Sequence, residues 1–391
     1  MRFNALVATA TAAAFLAACS DNDTTDPELP PDAALTDESL ASRDDDGDDR
    51  GRGFVFTLSN QSDGNAVLVF ARDQNGTLGA PATVPTGGLG SGGGLGNQGA
   101  LILADRGRWL IAVNPGSNDV SVFRHQNGRL NPTARTPSGG ELPISVTEHG
   151  GIVYVLNDGG TANITGFRLR HDGSLTPIAG ASRPLSIAAP DAAQIQFAPG
   201  GRELVVTEKG TNSILVFPVD RHGVAGAPSI QRSHGDTPFG FDFDRLGRLF
   251  VSEAFGGATD ASALSSYQLR HGSLRLVSGS VGTTETAACW TVITGDGRFA
   301  YVTNTGSGSI SGYRIGHSGR LRLLDADGQT AVVGAGSSPI DAAITRGSRY
   351  LFTLNSGAQS IAGFRIGRDG ALESVGTAAN LPASTNGLAA W

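Results

Sequence analysis

His234 and Glu253 are the residues whose types and spacing best suit acid–base chemistry in this chain. An imidazole and a carboxylate on one surface can exchange a proton near neutral pH. His234 stands just before a short apolar run that begins near Pro238, and Glu253 closes the next one, Val251-Ser252-Glu253. Strands of one unit would bring both residues to the same face. Seven comparable runs end in Ser59, Asn114, Asn157, Glu208, Glu253, Asn304 and Asn355. If these ends converge on an axis, four Asn and two Glu surround a mouth suited to a small polar ligand; the competing reading is that each Asn satisfies its own turn backbone. The carboxylates would favour a cationic group or a metal. Trp290, beside Cys289, begins another run on that face, where it either stacks on a ligand or fills the core. Asp191 and Asp341 hold similar positions ahead of their own runs.

Other chemistries fit poorly. His125, His171, His222, His271 and His317 recur in Gly-containing hairpins, which predicts exposed turn residues on the opposite face. His149 ends a run and points to that opposite face as well. No His, Cys, Asp and Glu cluster has metal-ligand spacing, so no metal and no cofactor is expected. The run Gly87–Gly99 lacks the Gly-Lys-Ser/Thr of a phosphate loop and is followed by a strand-like Ala100–Ala104. It reads as a loop crossing the face near other backbone. No Gly-x-Ser-x-Gly elbow is present, which argues against a serine hydrolase.

The elements that must position these residues repeat along the chain. Each copy is an apolar strand, a polar turn, a second strand and a Gly hairpin, as in FAYVTNTGSGSISGYRIGHSGRL from Phe299 and YLFTLNSGAQSIAGFRIGRDGAL from Tyr350. Seven copies at about 49-residue spacing predict an all-β, seven-bladed β-propeller with four strands per blade. The innermost strands fall at 100–104, 144–149, 193–198, 239–244, 289–294, 340–345 and 387–391. The copy at Phe54 has no inner strand ahead of it. The C-terminal strand is therefore expected to complete the first blade and close the ring.

The copies resemble the seven-bladed propellers of the lactonase family, which includes 6-phosphogluconolactonase and carboxymuconate cyclase. The resemblance is carried by strands such as Asp296-Gly297-Arg298-Phe299-Ala300-Tyr301-Val302-Thr303-Asn304 and covers about residues 53–391. It implies a site on the face where second strands end, served by a His, an Arg and a Glu. By that resemblance Glu253 stands at the Glu position, while Ala193 and Phe239 stand where the His and Arg would be. Loss of the cation that steadies a developing oxyanion removes a large catalytic term. The expectation is thus a binding propeller, with Phe239 among the pocket residues. The alternative is a lactonase-like hydrolase using Glu253 with His234.

Composition places this domain in the chain. Glycine supplies 56 of 391 residues, which suits many tight turns and excludes long-helix architectures. The net charge of −7 is concentrated: residues 20–52 hold twelve Asp/Glu against three Arg, and the rest is nearly neutral. Nucleic acid is not an expected partner. Residues 1–18 read as a signal peptide, with an apolar stretch too short to span a bilayer. Leu16-Ala17-Ala18-Cys19 resembles a bacterial lipobox, which implies lipidation of Cys19 and a membrane anchor; Ser20 points to the outer membrane. Residues 19–52 read as an acidic tether and 53–391 as the propeller, expected to be monomeric and to meet a small-molecule ligand or an envelope protein.

Overall fold

The computed structural model describes residues 51–391. The segment expected to be a signal peptide, Cys19 and the acidic run Asp44–Asp49 fall within residues 1–50, outside the described residues. Seven antiparallel sheets stand around an axis as the blades of a propeller. Blade 1 joins Asn386–Ala390 to Gly53–Leu58, Ala66–Arg72 and Leu78–Pro85. The inner strands of blades 2 to 7 are Leu101–Ala104, Glu141–His149, Ala192–Phe197, Pro238–Phe243, Ala288–Ile293 and Pro339–Ile344. They lie within a few residues of the positions expected from the repeat.

Second strands such as Phe299–Asn304 (FAYVTN) are buried along their whole length. Each sheet has another sheet on both faces, so a second strand shows a continuous apolar run and no alternation. Outer strands such as Leu372–Ala378 are largely exposed and correspondingly polar. The hairpin glycines have a packing cause beyond their backbone. Gly128 lies at φ +78°, and a Cβ there would fall 2.1 Å from the Phe54 ring of the preceding blade. Gly370 meets Phe299 of its preceding blade in the same way, at 2.5 Å. Each such hairpin rests on the first residues of its neighbour's second strand.

Inner strands present an unpaired edge to the axis, which would leave buried amides without acceptors. Side chains of the neighbouring blade fill that need. Gln194 Oε1 accepts the Phe241 amide (2.7 Å), Asp242 Oδ2 accepts the Ile293 amide (3.0 Å), and Thr147 Oγ1 accepts the Phe197 amide (3.1 Å). Closure follows the expected route. Val55, Phe56 and Thr57 pair with Ala390, Ala389 and Leu388, and Trp391 and Phe54 exchange backbone hydrogen bonds of 2.8 and 3.0 Å.

Charge divides between the two ends of the ring. Arg108, Arg202, Arg298 and Arg349 stand just before second strands, Arg124, Arg270, Arg314 and Arg365 close third strands, and Arg106, Arg245 and Arg346 sit in turns at the same end. That end holds 22 arginines against ten carboxylates, near +12. The opposite end, where second strands finish, holds Arg135, Arg183, Lys209 and Arg232 against twelve carboxylates, near −8. Among the described residues no helix is long and apolar enough to cross a membrane.

Candidate functional site

Glu253 ends the second strand of blade 5, opposite Pro238 on the inner strand and Ala263 on the third. Its carboxylate is buried. Oε1 accepts the Gly235 amide at 2.8 Å, and Oε2 accepts the Ser280 hydroxyl at 2.6 Å. His234 is exposed; its amide donates to the Tyr267 hydroxyl at 2.9 Å, and its ring covers Gly279, the neighbour of Ser280. Burial raises the Tyr267 hydroxyl above its usual range, and the Glu253 charge adds to the effect. No hydrogen bond or ion pair joins His234 to Glu253. The two share the outer part of one blade, and both Glu253 oxygens are engaged within it.

The other strand-two ends turn the same way. Asn114 Nδ2 donates to Asp119 Oδ1 (2.7 Å) and Ser121 Oγ (2.8 Å), Asn157 to Asn163 (2.8 Å), Asn304 to Ser309 (3.0 Å) and Ser311 (2.9 Å), and Asn355 to Ser360 (3.3 Å). Ser59 Oγ accepts the Ala66 amide at 3.0 Å. Glu208 accepts the Ser186 amide (3.0 Å) and hydroxyl, and the Thr211 hydroxyl (2.6 Å). The donating amides of these Asn turn toward their own hairpins, Asn114 opposite Asp119 and Asn304 opposite Ser309, while Oδ1 of Asn157, Asn304 and Asn355 is buried without a hydrogen-bond partner.

The axial mouth at the acidic end is filled by the chain's own glycine-rich segment. The Gln98 amide donates to the Ala193 carbonyl (3.0 Å), and its carbonyl accepts the Ser145 hydroxyl (2.6 Å). Its side chain crosses to blade 6, donating to Thr291 O (2.9 Å) and accepting Thr291 N (3.2 Å). Asn97 donates its side-chain amide to the Ile144 carbonyl and accepts Trp290 Nε1 at 2.7 Å. Gly240 leaves room for Gln98, since a Cβ there would sit 2.1 Å from Gln98 Oε1. Trp290 is wholly buried beneath the segment, as in the core-filling reading, and Cys289 is buried beside it.

Lys209, the only lysine of the chain, follows Glu208 at this mouth. Its side chain is 7% exposed. The ammonium donates to the Gly96 carbonyl (2.5 Å), pairs with Asp191 Oδ1 (3.1 Å), and lies 4.7 Å from the Phe239 ring centroid. Phe239 in turn packs on Trp290, centroid to centroid 4.9 Å. Phe239, expected among the ligand-binding residues, is thus buried between a cation and an indole. Asp191 does reach the surface, with its side chain 43% exposed. Asp158 accepts the Ala192 amide at 3.0 Å. Burial pushes its carboxyl up to about 6; that amide and Lys209 oppose the shift, and Asp191 and Glu208 reinforce it.

Asp341 is not on the rim. It lies in the inner strand Pro339–Ile344 and accepts backbone amides of Ala342 and of Leu388 in blade 1. It lines a cavity of about 290 Å³ below Gln98, together with Gln194, Gln196 and Asp242. Burial raises Asp341 well above the carboxylate range and Asp242 to about 6. No group of three metal-ligating side chains occurs among the described residues.

Lys209 and the Asn97-Gln98 pair are absent from the sequence-based candidates. The lysine had the signal of lying directly after a strand-two end. The polar pair had the signal of closing a glycine run that leads into an inner strand.

Comparison with known proteins agrees with the propeller fold. Solved structures of the same architecture include the periplasmic gluconolactonase of Pseudomonas aeruginosa (18% identity, covering 86% of this chain and 99% of that one, TM-score 0.66). They also include a protein of Lactobacillus plantarum (16%, 87% and 99%, 0.67) and a candidate 6-phosphogluconolactonase of Bacteroides fragilis (17%, 87% and 98%, 0.65). No curated protein matches the chain in sequence. The sequence profile described as lactonase, 7-bladed beta-propeller matches residues 63–183, 180–254 and 253–386, and the chain belongs to that family.

Proposed function

We propose that this propeller is a lipid-anchored protein of the cell envelope, held at the outer membrane through Cys19. At its acidic end it binds an envelope partner or small polar ligand bearing a cationic group, without hydrolysing lactones. The observation that carries this reading is the Gly96–Gly99 segment, which bonds to the inner strands of blades 3, 4 and 6 at the mouth where a substrate would enter. The surface around it is acidic through Asp191, Asp158 and Asp236. It also carries exposed Leu89 (41%) and Ile187 (55%), which suit a partner with an apolar contact beside its cation. A lactonase reading using Glu253 with His234 is favoured by one observation, the structural similarity to a protein named a periplasmic gluconolactonase.

One experiment separates the two. The chain from residue 20 onward is assayed against sugar and carboxylate lactones and titrated with cationic ligands. Turnover no faster than buffer is expected. Cation binding is expected to weaken about tenfold in Asp191→Asn, the scale of one charge-assisted contact. It also weakens as pH falls through about 6, where Asp158 loses its charge. Lactone hydrolysis that disappears in Glu253→Gln would overturn the binding reading.

A further inference from the structure

We propose that the basic end of the ring docks face-on against a membrane rich in anionic phosphate headgroups, so that the acidic mouth points away from the bilayer. The net charge near +12 is spread around the whole circumference. Arg108, Arg170, Arg221, Arg270, Arg314 and Arg368 are exposed, one each in blades 2 to 7. Guanidinium groups spread around one end of the ring can meet a planar phosphate surface at many points together.

The path of the chain favours a membrane as the occupant. Gly53 pairs with Arg72 at this same end, so the chain enters the propeller from the basic end. Two further features suit a lipid surface. A groove of about 870 Å³ between blades 4 and 5 is lined by Arg202, Arg270 and His271, with Val216 and Leu269 also in its walls, large enough for a phosphate headgroup. Leu246, beside Arg245 in a turn at this end, is 63% exposed and can enter the headgroup layer. The rival occupant is the acidic run Asp44–Asp49 of the same chain. The inference rests on the envelope reading only for the presence of a membrane nearby, because the surface itself needs no lipid.

The test uses the chain from residue 20 onward, lacking Cys19, with vesicles of phosphatidylcholine alone or with about 30% phosphatidylglycerol. Partitioning is expected to be about 100-fold stronger on the anionic vesicles at low salt and to collapse as salt rises. A chain of net negative charge would be repelled by such vesicles if its charge were evenly spread. The triple variant Arg170→Glu, Arg221→Glu, Arg314→Glu should lose at least about tenfold of that binding. The control Arg183→Glu, Arg232→Glu at the opposite end should retain it, with melting curves showing that both fold. Equal binding to the two vesicle types, or equal loss in both variants, overturns the proposal. Binding that appears only after residues 20–50 are removed also overturns it, in favour of the acidic run as occupant.

Discussion

His125 shows how far a side chain's role depends on its neighbours. Its hairpin position predicted an exposed turn residue, yet it is only 6% exposed. The ring sits edge-on between Phe54, Phe56 and Trp391. Nδ1 donates to the Gly107 carbonyl at 2.6 Å, and Nε2 accepts the Gly128 amide at 3.0 Å. Those two bonds require the neutral imidazole, and burial lowers its pKa below 6.5 although the Gly107 bond opposes the shift. Above 6.5 both folded and unfolded states are neutral and the full stabilisation is present. As pH falls below 6.5 the unfolded state takes up the proton first, so stability is lost progressively. His125→Phe keeps the aromatic packing but leaves the Gly107 carbonyl and Gly128 amide unpaired, a cost of about 1–3 kcal/mol. Urea unfolding at pH 8 and pH 5 should find the wild type ahead of the variant at pH 8, with the gap narrowing at pH 5. An unchanged gap would remove His125 from the acid sensitivity of the fold.

At the scale of elements, strands were legible in the sequence and the directions of side chains at their ends were not. Buried second strands such as Trp109–Asn114 are continuous apolar runs closed by a polar residue, so their ends can be read directly. Whether that last residue faces the axis or its own hairpin depends on pairing: Asn114 lies opposite Asp119, and a carboxylate within 2.7 Å holds the amide there. The glycine-rich stretch was legible as a loop passing close to other backbone. Its insertion into the axis was not, because Asn97 and Gln98 find partners in blades 3, 4 and 6, up to 193 residues away. Lys209 was hidden for the same reason, since its partners Gly96, Asp191 and Phe239 come from three separate segments. If this element seals the mouth, Gln98→Ala should cost about 1–3 kcal/mol by leaving the Thr291 amide and carbonyl buried and unpaired. That corresponds to a melting temperature lower by several degrees in a calorimetric scan. A shift within one degree would mean that the mouth is held by the rest of the ring.

For the molecule as a whole, the ring stands or falls on one short strand. Asn386–Ala390 gives blade 1 its inner strand and places Gly387 against Ala100 and Leu101 of blade 2. Asp341 of blade 7 accepts the Leu388 amide, so the same strand also ties the last blade to the first. Beyond it, Trp391 lies against Gly107, His125 and the Arg346 guanidinium, joining the end of the chain to blades 2 and 7. Removing Asn386–Trp391 therefore deletes buried Leu388 and Ala389, exposes Phe56 and Val55, and opens an edge on Gly53–Leu58. Open edges of this kind pair with other chains. The loss should reach several kcal/mol, lowering the melting temperature by roughly 10 °C or more and making unfolding aggregation-prone. Trp391→Ala, which keeps the ladder and removes only the latch, should cost about 3 kcal/mol. A synthetic peptide spanning Leu381–Trp391 should restore the truncated ring by supplying the missing strand in trans. If truncation leaves the melting temperature unchanged, or the peptide restores nothing, closure through this strand does not govern the stability of the propeller.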